Sequence, residues 1–434
     1  MGPKASEQDL QAGREAMIGG GVGAGTPMVI DHGLGASVWD TTGQEYIDCT
    51  SQAWSLNVGY CHPKVVAAVI DQVQRFTHIR TSFDTVPKLL LAKKLSELGP
   101  GRLKKVGYSL TGSDANEGAM KLAMRNRPGN VFVTLWDGYH GRTLSTLNLS
   151  WPHPNNRFTA WKGEVLRIPQ AYCYRCPFDN VYPACGLECA RFARQAILKG
   201  ASEPPAALMM EPVQGNGGMI DFPPDYYPAL RALCDDLGML MVWDEIQTGF
   251  GRVGDWFAAN VYKTEPDILI FGKGLGGGFP LFGTLSRTDL KPLEPGDHSF
   301  TFAHFPVSMV AALATITAIE EENLLERSRL MGGLLRDGLL RLKDKYELIG
   351  DVRGPALMIG VELVRNRKTK EPAREEAHRF IAEGLKRGVI FGESKYSGLG
   401  NIVKVKPPLV IAESQIERVL QVFEEITQLL SVER

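Results

Sequence analysis

The chain has 434 residues, which is enough for two domains around a large hydrophobic core. Its formal net charge of −1 provides no global field that would draw it to nucleic acid or to an anionic membrane. No apolar run is long enough to span a bilayer, and residues 1–10 lack the apolar core of a signal peptide. These features predict a cytoplasmic globular protein with neither nucleic acid nor membrane as a partner.

The predicted elements begin with N-terminal strands near residues 38–46. The middle of the chain then alternates short apolar runs with helical patterns, which indicates an α/β sheet. Its candidate buried strands are residues 106–110, 131–135, 207–210, 239–243 and 268–271. A long amphipathic helix is predicted over residues 311–345, followed by a strand at 356–363 and closing helices.

The change of pattern near residue 316 predicts a domain boundary. Residues 61–315 are expected to form a large ligand-binding domain, and residues 316–434 a smaller α/β domain. Residues 1–60 are expected to pack with that smaller domain. Ligands of such sheets bind at the carboxyl ends of the strands, so these ends are the places to search for functional residues.

The first two strand ends carry residues suited to a phosphate and to a flat ring. After the first strand, Gly112 and Ser113 precede a helical run, so backbone amides and a positive dipole end can face an anion. The simpler alternative is a helix start capped by Ser113 or Asp114. After the second strand, Tyr139 can stack on a ring, but core packing explains it equally well.

Asp244 ends a fully apolar strand, and a buried carboxylate needs a charged partner or several hydrogen bonds. A protonated ring nitrogen is one such partner, and a helix cap is the alternative. Gln247 lies one helical turn further on, where it can reach the same ring.

Lys273 follows the fifth strand between two glycines. Desolvation in such an apolar setting lowers the pKa of a lysine and makes it a nucleophile for imine formation. The run GKGLGG at residues 272–277 also matches a dinucleotide-binding pattern, but Pro280 prevents the helix that such a site requires. An oxidoreductase is therefore disfavoured.

Four of the seven cysteines cluster in one segment. They are Cys173, Cys176, Cys185 and Cys189. The spacing is compatible with zinc, but the spacer is short for a zinc ribbon, so reduced thiols in a surface loop are favoured and no metal is assigned.

Taken together, the strand-end segments resemble the class III aminotransferases, which are pyridoxal phosphate (PLP) enzymes of fold type I. The resemblance runs from about residue 27 to the C-terminus. It implies a large domain with a mostly parallel seven-stranded sheet flanked by helices, and a smaller α/β C-terminal domain. The segments that carry it are TGSDANE (111–117), GYHGRT (138–143), EPVQG (211–215), DEIQTGFGR (244–252) and GKG (272–274).

The resemblance implies a role for each matching residue. Lys273 would hold pyridoxal 5'-phosphate as a Schiff base and shuttle the proton, while Asp244 would pair with the ring nitrogen. The residues expected to contact the rest of the cofactor are Gln247 at the ring hydroxyl, Tyr139 and Ile246 on the two ring faces, and Gly112 and Ser113 at the phosphate. Thr301 would reach the phosphate of the neighbouring subunit, which implies a homodimer, although His304 and Phe305 replace the family's usual Gly-Asn beside it.

Departures from the family pattern bear on the substrate. Lys404 stands where the family usually places a carboxylate-binding arginine, and a lysine provides a point charge for phosphate, sulfonate or carboxylate. Asn216 replaces the aspartate of family racemases and the glutamate of many ω-aminotransferases. Trp54 resembles the pocket tryptophan of the lactam racemase, and together with Tyr139 it predicts an apolar or aromatic substrate wall, although a core tryptophan explains Trp54 equally well. Ala53 disfavours the dialkylglycine decarboxylase.

These observations favour an aminotransferase that moves an amino group from an amine or amino acid to a 2-oxo acid by a ping-pong mechanism. A phospho-lyase acting on a phosphorylated amino alcohol is the second interpretation. A racemase or a decarboxylase would use the same cofactor residues. A non-catalytic sensor of the same fold is disfavoured because Lys273, Asp244 and Gln247 are all present.

Overall fold

The computed structural model describes residues 6–17, 28–152, 163–394 and 399–432. The strands of this part of the chain are β1 Ile30–Leu34, β2 Ser37–Asp40, β3 Glu45–Asp48, β4 Leu103–Ser109, β5 Phe132–Leu135, β6 Val165–Ile168, β7 Ala207–Met210, β8 Val213–Gln214, β9 Ile220–Asp221, β10 Leu240–Asp244, β11 Ile268–Phe271, β12 Phe282–Arg287, β13 Ile349–Arg353, β14 Ile359–Asn366, β15 Glu371–Pro372, β16 Val389–Ile390, β17 Gly392–Glu393 and β18 Ile402–Val405.

The α-helices of the same residues are α1 Glu7–Ala16, α2 Ser51–Trp54, α3 Pro63–Arg75, α4 Val86–Leu98, α5 Gly112–Asn126, α6 Leu144–Leu149, α7 Glu188–Gly200, α8 Gly215–Gly218, α9 Tyr226–Leu237, α10 Ala258–Val261, α11 Pro306–Glu321, α12 Leu324–Lys345, α13 Arg374–Lys386 and α14 Glu413–Val432. Short 3₁₀ turns lie at Cys173–Arg175 and Lys273–Gly276. None of the helices in the described residues is both long and apolar enough to cross a membrane.

The centre of the molecule is a seven-stranded sheet with the strand order β4-β12-β11-β10-β7-β5-β6. All neighbouring pairs are parallel except the two that include β12. Strands β7, β10 and β11 are buried along their whole length, as expected when helices cover both faces of a parallel sheet. This architecture confirms the predicted α/β fold.

The predicted strands agree with the sheet in position and differ at their ends. Those at 207–210 and 268–271 match β7 and β11. Those at 106–110, 131–135 and 239–243 correspond to β4, β5 and β10, with ends shifted by up to a few residues. Two strands of the sheet were not predicted. Strand β6 carries an arginine, and β12 contains a glycine and two polar residues, so neither reads as a continuous apolar run.

The prediction of one helix over residues 311–345 is wrong. The chain forms α11 and α12 instead, separated at residues 322–323. Asn323 adopts the left-handed conformation with φ 49°, which ends the first helix before the second begins. Asparagine reaches this conformation at lower cost than most residues, and here it follows three consecutive glutamates, Glu320 to Glu322. The strand predicted at 356–363 is also displaced, since β14 begins at Ile359.

A second region carries a sheet of β13, β14, β18 and β17, with β15 paired to β14. A further sheet joins the two ends of the chain, because β3 pairs in parallel with β16 through Ile47 and Val389. This pairing brings the N-terminal segment against the C-terminal one. The division into residues 1–60, 61–315 and 316–434 stays a prediction.

Candidate active site

A cavity of about 140 Å³ lies where several strands of the seven-stranded sheet end. Its lining includes every predicted cofactor-binding residue except Ser113 and Thr301. The lining residues are Gly112, Asn116, Tyr139, His140, Gly141, Asp244, Ile246, Gln247, Lys273 and Phe282. The fold therefore gathers side chains that are more than 160 positions apart in the sequence.

Lys273 follows β11 directly and adopts a left-handed backbone conformation with φ 42°. Burial of its ammonium lowers the pKa to about 8, while the carboxylates of Asp244 and Glu211 act in the opposite direction. The preceding Gly272 is required by packing, because a Cβ there would lie 2.0 Å from a ring carbon of Phe282. Lys273 thus presents an amine that loses its proton more readily than an exposed lysine does.

Asp244 is almost fully buried at the end of β10, and three groups hold its carboxylate. One oxygen accepts a hydrogen bond from Asn116 Nδ2 at 3.0 Å and lies 3.0 Å from His140 Nδ1. The other accepts from the backbone N–H of Ile246 at 3.2 Å. Asn116 and His140 were missed as functional residues, although both stand inside the strand-end segments that carry the resemblance.

Glu211 is a further buried carboxylate that sequence reasoning did not single out. It accepts backbone hydrogen bonds from Tyr139 at 2.9 Å and from Gly215 at 3.1 Å. Burial raises the pKa of its carboxyl group to about 7, and nearby His140 opposes that shift. Glu211 therefore connects the loop that carries Tyr139 to the loop that precedes Asn216.

Several buried polar atoms beside the cavity have no partner among the described residues. They are Gln247 Oε1, His140 Nε2 and Asn116 Oδ1. Most buried polar atoms in folded proteins are hydrogen-bonded, so such atoms around a cavity indicate a polar ligand.

Helix α5 begins at the edge of the cavity. Its cap is Thr111, whose hydroxyl accepts from the N–H of Asp114 at 3.2 Å, while Asp114 accepts from the N–H of Thr111 at 3.1 Å. The alternative that Ser113 or Asp114 is the N-cap is therefore wrong, and Ser113 Oγ instead accepts from the N–H of Arg142 at 3.0 Å. A Cβ on Gly112 would lie 3.1 Å from Ile246 Cδ1, so glycine suits this position. The first-turn N–H groups of such a helix suit an anion.

These features fit pyridoxal phosphate. A desolvated lysine suits its aldehyde, a buried carboxylate suits a protonated ring nitrogen, and a helix N-terminus suits its phosphate. The unpartnered oxygen of Gln247 can accept from the ring hydroxyl.

Two of the predicted substrate-binding residues, Trp54 and Lys404, lie together near Lys273, whereas Tyr139 lines the cavity described above. The ring centroid of buried Trp54 lies 4.8 Å from Lys273 Nζ and 5.1 Å from Lys404 Nζ. The carbonyl of Asn216 in α8 accepts from Ser394 Oγ at 2.6 Å. Lys406, which was not predicted, is closer still, with Nζ 4.0 Å from the Trp54 centroid. The signal that could have identified it is a lysine in an apolar run just before Pro-Pro.

Thr301 does not line the cavity of its own subunit. It lies in an exposed turn, next to exposed Phe302. The ring of Phe302 packs 4.9 Å from that of His78. This placement is compatible with the role in another subunit that the resemblance implies.

The four clustered cysteines line a separate small cavity of about 20 Å³. Burial raises the pKa of the Cys173 and Cys189 thiols to about 11. Within residues 6–17, 28–152, 163–394 and 399–432, no group of three or more ligating side chains is placed to hold a metal ion.

Comparison with known proteins places the chain in a family. Residues 21–427 match the family model described as aminotransferase class-III. The chain is 37% identical over 406 residues to the leucine/methionine racemase of Thermococcus litoralis, covering 92% of this chain and 90% of that protein. It is 34% identical over 425 residues to the 4-aminobutyrate aminotransferase of Escherichia coli, covering 97% of this chain and 98% of that protein.

A solved structure agrees with the fold. The amine transaminase of an uncultivated Pseudomonas species, in its PLP-bound form, superposes with a TM-score of 0.87 at 29% identity. The match covers 94% of this chain and 97% of that one. The chain therefore belongs to the class III aminotransferase family, as an enzyme with the α/β fold of that family and with pyridoxal phosphate as its cofactor.

Proposed function

We propose that this enzyme is an aminotransferase that moves an amino group from an amine or amino acid to a 2-oxo acid in two half-reactions. The observation that carries the proposal is the shared cavity of the Lys273 amine and the Asp244 carboxylate. Pyridoxal phosphate, when bound, supplies an aldehyde for the amine and a ring that accepts the electron pair of a broken C–H bond.

Lys273 has two tasks in this proposal. Its Nζ would hold the cofactor until a substrate amine replaces it there. It would then be the base that takes the proton from the substrate carbon and the acid that returns a proton to the cofactor side. Both tasks need an uncharged amine, and the pKa of about 8 supplies a larger fraction of it near neutral pH than an exposed lysine would.

Asp244 keeps the ring nitrogen protonated. The bonds from Asn116 and the Ile246 N–H orient its carboxylate, as does His140 when the imidazole carries its proton on Nδ1. A charge-assisted hydrogen bond in so buried a site is stronger than one in water.

The remaining cofactor contacts are assigned by position. Gln247 Oε1 accepts from the ring hydroxyl, Tyr139 stacks on one face of the ring, and Ile246 contacts the other. Gly112 and Ser113 bind the phosphate with the backbone N–H groups of α5 and the serine hydroxyl. These assignments are supported by the cavity, because its lining includes Gln247, Tyr139, Ile246 and Gly112. Ser113 is not part of the lining and follows Gly112 in α5.

The enzyme is proposed to act as a homodimer in which Thr301 of one subunit reaches the phosphate site of the other. Exposed apolar side chains beside the Thr301 turn support this, because a patch of this kind marks a protein interface. They are Phe76, Phe83, Val86, Leu89, Leu90 and Phe302, between 40% and 70% exposed. The amino donor and the acceptor are proposed to be small molecules. The enzyme is proposed to be cytoplasmic.

Racemisation is the second candidate, because the relatives include a leucine/methionine racemase, an alanine/serine racemase and an isoleucine 2-epimerase. It requires a proton on the substrate face opposite Lys273, and Asn216 offers no base there. Lyase chemistry on a phosphorylated amino alcohol is favoured only by Lys404, which suits a phosphate as a point charge.

The test is the half-reaction of purified holoenzyme with one amino donor and no acceptor. The panel contains amino acids, simple amines, ω-amino acids and phosphoethanolamine. Aminotransfer predicts conversion of the cofactor to the pyridoxamine form and one oxo product per site. Inverted amino acid, released phosphate or released carbon dioxide, without pyridoxamine, would contradict it and identify the racemase, lyase or decarboxylase instead.

A further inference from the structure

The segment Ser51–Trp54 forms a left-handed helical turn. Its φ angles are 45°, 43°, 59° and 68°, the longest such run of non-glycine residues in the described part of the chain. Each L-residue in this conformation costs about 1–2 kcal/mol, so the surrounding structure must hold the turn in place. Strain of this kind concentrates at functional sites.

Asp48 is the first group that holds the turn. This fully buried carboxylate accepts from the backbone N–H groups of Thr50 at 2.7 Å and Gln52 at 3.2 Å. The hydroxyl of Tyr60 also donates to it at 2.9 Å. With these bonds the single carboxylate satisfies donors on both sides of the turn.

Lys406 and Arg252 hold the turn from the other side. Lys406 Nζ donates to the carbonyl of Thr50, and Ser51 Oγ donates to the carbonyl of Lys406 at 2.7 Å. Arg252 Nη2 donates to Ser51 Oγ at 2.9 Å, and the other hydrogen bonds of its guanidinium go to neutral carbonyl and amide oxygens. Neither Lys406 nor Arg252 makes a direct ion pair within residues 28–152, 163–394 and 399–432.

The turn presents the indole ring of Trp54 to two amines. Its ring centroid lies 4.8 Å from Lys273 Nζ and 4.0 Å from Lys406 Nζ. The indole Nε1 is buried and has no hydrogen-bond partner among the described residues. A buried N–H donor beside a buried ammonium is a pair of groups that an anion would satisfy.

The charges around Lys406 favour the same ligand. Its charged neighbours include the cations Lys404, Arg252 and Lys273 and the carboxylate of Asp48. Lys406 and Arg252 are both buried, so whenever Lys406 is protonated the two of them exceed Asp48 by one positive charge. One bound carboxylate would balance this excess.

We propose that Lys406, together with the indole N–H of Trp54, receives the carboxylate of the substrate. This names a residue and a substrate class for the proposed function, namely amines that carry a carboxylate, and it rests on that function. Two of the three donor positions of the ammonium remain available after the bond to Thr50.

Binding of the carboxylate is expected to be coupled to a proton. Burial and the neighbouring cations hold the pKa of Lys406 well below its usual range, with Asp48 opposing them. At pH above that lowered pKa the free amine is uncharged, and a bound carboxylate raises its affinity for a proton. Anion binding under these conditions therefore takes up protons from solution.

The experiment is calorimetric titration of the holoenzyme with valerate, a carboxylate without an amine, at pH 8.5. Measurement in two buffers of different ionisation enthalpy yields the number of protons taken up. The visible absorbance of the bound cofactor reports any proton change at Lys273 and separates it from that of Lys406. We expect net uptake in the wild type, no uptake in Lys406→Met, and smaller but measurable uptake in the matched variant Lys404→Met, because loss of the Lys404 charge raises the pKa of free Lys406.

A kinetic experiment separates recognition from a structural role. For a donor that carries a carboxylate, Lys406→Met should raise KM by about 10- to 100-fold, the loss expected for a charge-assisted bond. For an uncharged amine such as butylamine, KM should stay within about threefold. Trp54→Phe keeps the ring and removes the N–H, so the KM of the carboxylated donor should rise by about 3- to 10-fold. Lys406→Arg should restore most of the preference for the carboxylated donor over butylamine.

Loss of proton uptake in Lys404→Met rather than in Lys406→Met would overturn the proposal. So would an equal rise in KM for both donors. If Lys406→Met does not fold, Trp54→Phe and the wild-type proton count still decide the question. Failure of the proposed aminotransfer would give a different result. The wild-type enzyme would then bind valerate with proton uptake but would form no pyridoxamine from any donor.

Discussion

The two sides of Lys273 are built in different ways. On the cofactor side, the functional residues lie within a few positions of the ends of β4, β5, β10 and β11, which belong to one sheet. On the opposite side, Trp54 comes from a left-handed turn, and Lys404 and Lys406 come from β18 and the residue that follows it. The cofactor side thus follows from short local segments, whereas the other side is assembled from distant parts of the chain.

The charge balance differs as well. Around Lys273, the buried carboxylate of Asp244 provides negative charge for a cationic ring nitrogen. Around Trp54, the charged groups include the buried cations Lys406 and Arg252 and the carboxylate of Asp48. One side therefore suits the cofactor and the amine, and the other suits an anion.

The largest expected effect is on the cofactor side. Lys273→Ala should lower kcat by about 10⁴-fold, because it removes the proton-transferring amine. It should also abolish the adduct that borohydride traps between enzyme and cofactor. The matched control is the exposed Lys199→Ala, which should leave both unchanged. An adduct that persisted on another lysine would contradict the assignment of Lys273 as the residue that binds the cofactor, and with it the comparison of the two sides.

Adjacent carboxylates provide a second test, because Asp244 and Glu245 are both buried but have different partners. Asp244→Asn should lower kcat by about 10- to 100-fold, since the charge beside the ring nitrogen is lost. Glu245 accepts from the N–H groups of Ala258 at 2.6 Å and Ala259 at 2.9 Å, so Glu245→Gln should lower stability and leave kcat nearly unchanged. Steady-state kinetics and thermal unfolding distinguish them, and the reverse pattern would contradict the assignment.

The pH dependence of cofactor binding tests the desolvation of Lys273. Its pKa of about 8 lies below the usual value for lysine, so the reactive uncharged amine becomes abundant as pH rises toward 8. The rate at which apoenzyme captures pyridoxal phosphate should rise about tenfold per pH unit below that value and level off above it. Stopped-flow absorbance measures the rate. A rise that continues to pH 10 would mean that the amine is not desolvated.

The smallest expected effect concerns the strained turn on the substrate side. Ala53 is exposed and has φ 59°, so Ala53→Gly should raise the free energy of unfolding by about 1 kcal/mol. Ala382 is equally exposed within the right-handed helix α13, where glycine should lower that free energy by about 1 kcal/mol. Denaturant unfolding compares the two. Equal destabilisation would show that the turn is not strained.

Most of the cofactor side could be predicted from the sequence because its residues follow apolar strands directly. Lys273, Asp244, Gln247 and Tyr139 all stand at or just after the end of an apolar run, and all four line the cavity. Asn116 and Glu211 were not given roles, because their contacts to Asp244 and to two backbone N–H groups are formed across the sheet. The helix break at Asn323 was hidden for a related reason, since apolar spacing does not report a single left-handed residue.

The sequence by itself was enough to predict the strands of the central sheet and to single out Lys273 and Asp244 at their ends, since burial patterns and strand ends are local properties of the chain. Only the tertiary structure decided that Lys406 lies against Trp54 and that Arg252 lies against Ser51. These contacts join residues more than 200 positions apart, across segments with no shared periodicity. The physical reason is that the left-handed turn is unfavourable alone and exists only because Asp48, Arg252 and Lys406 hold it.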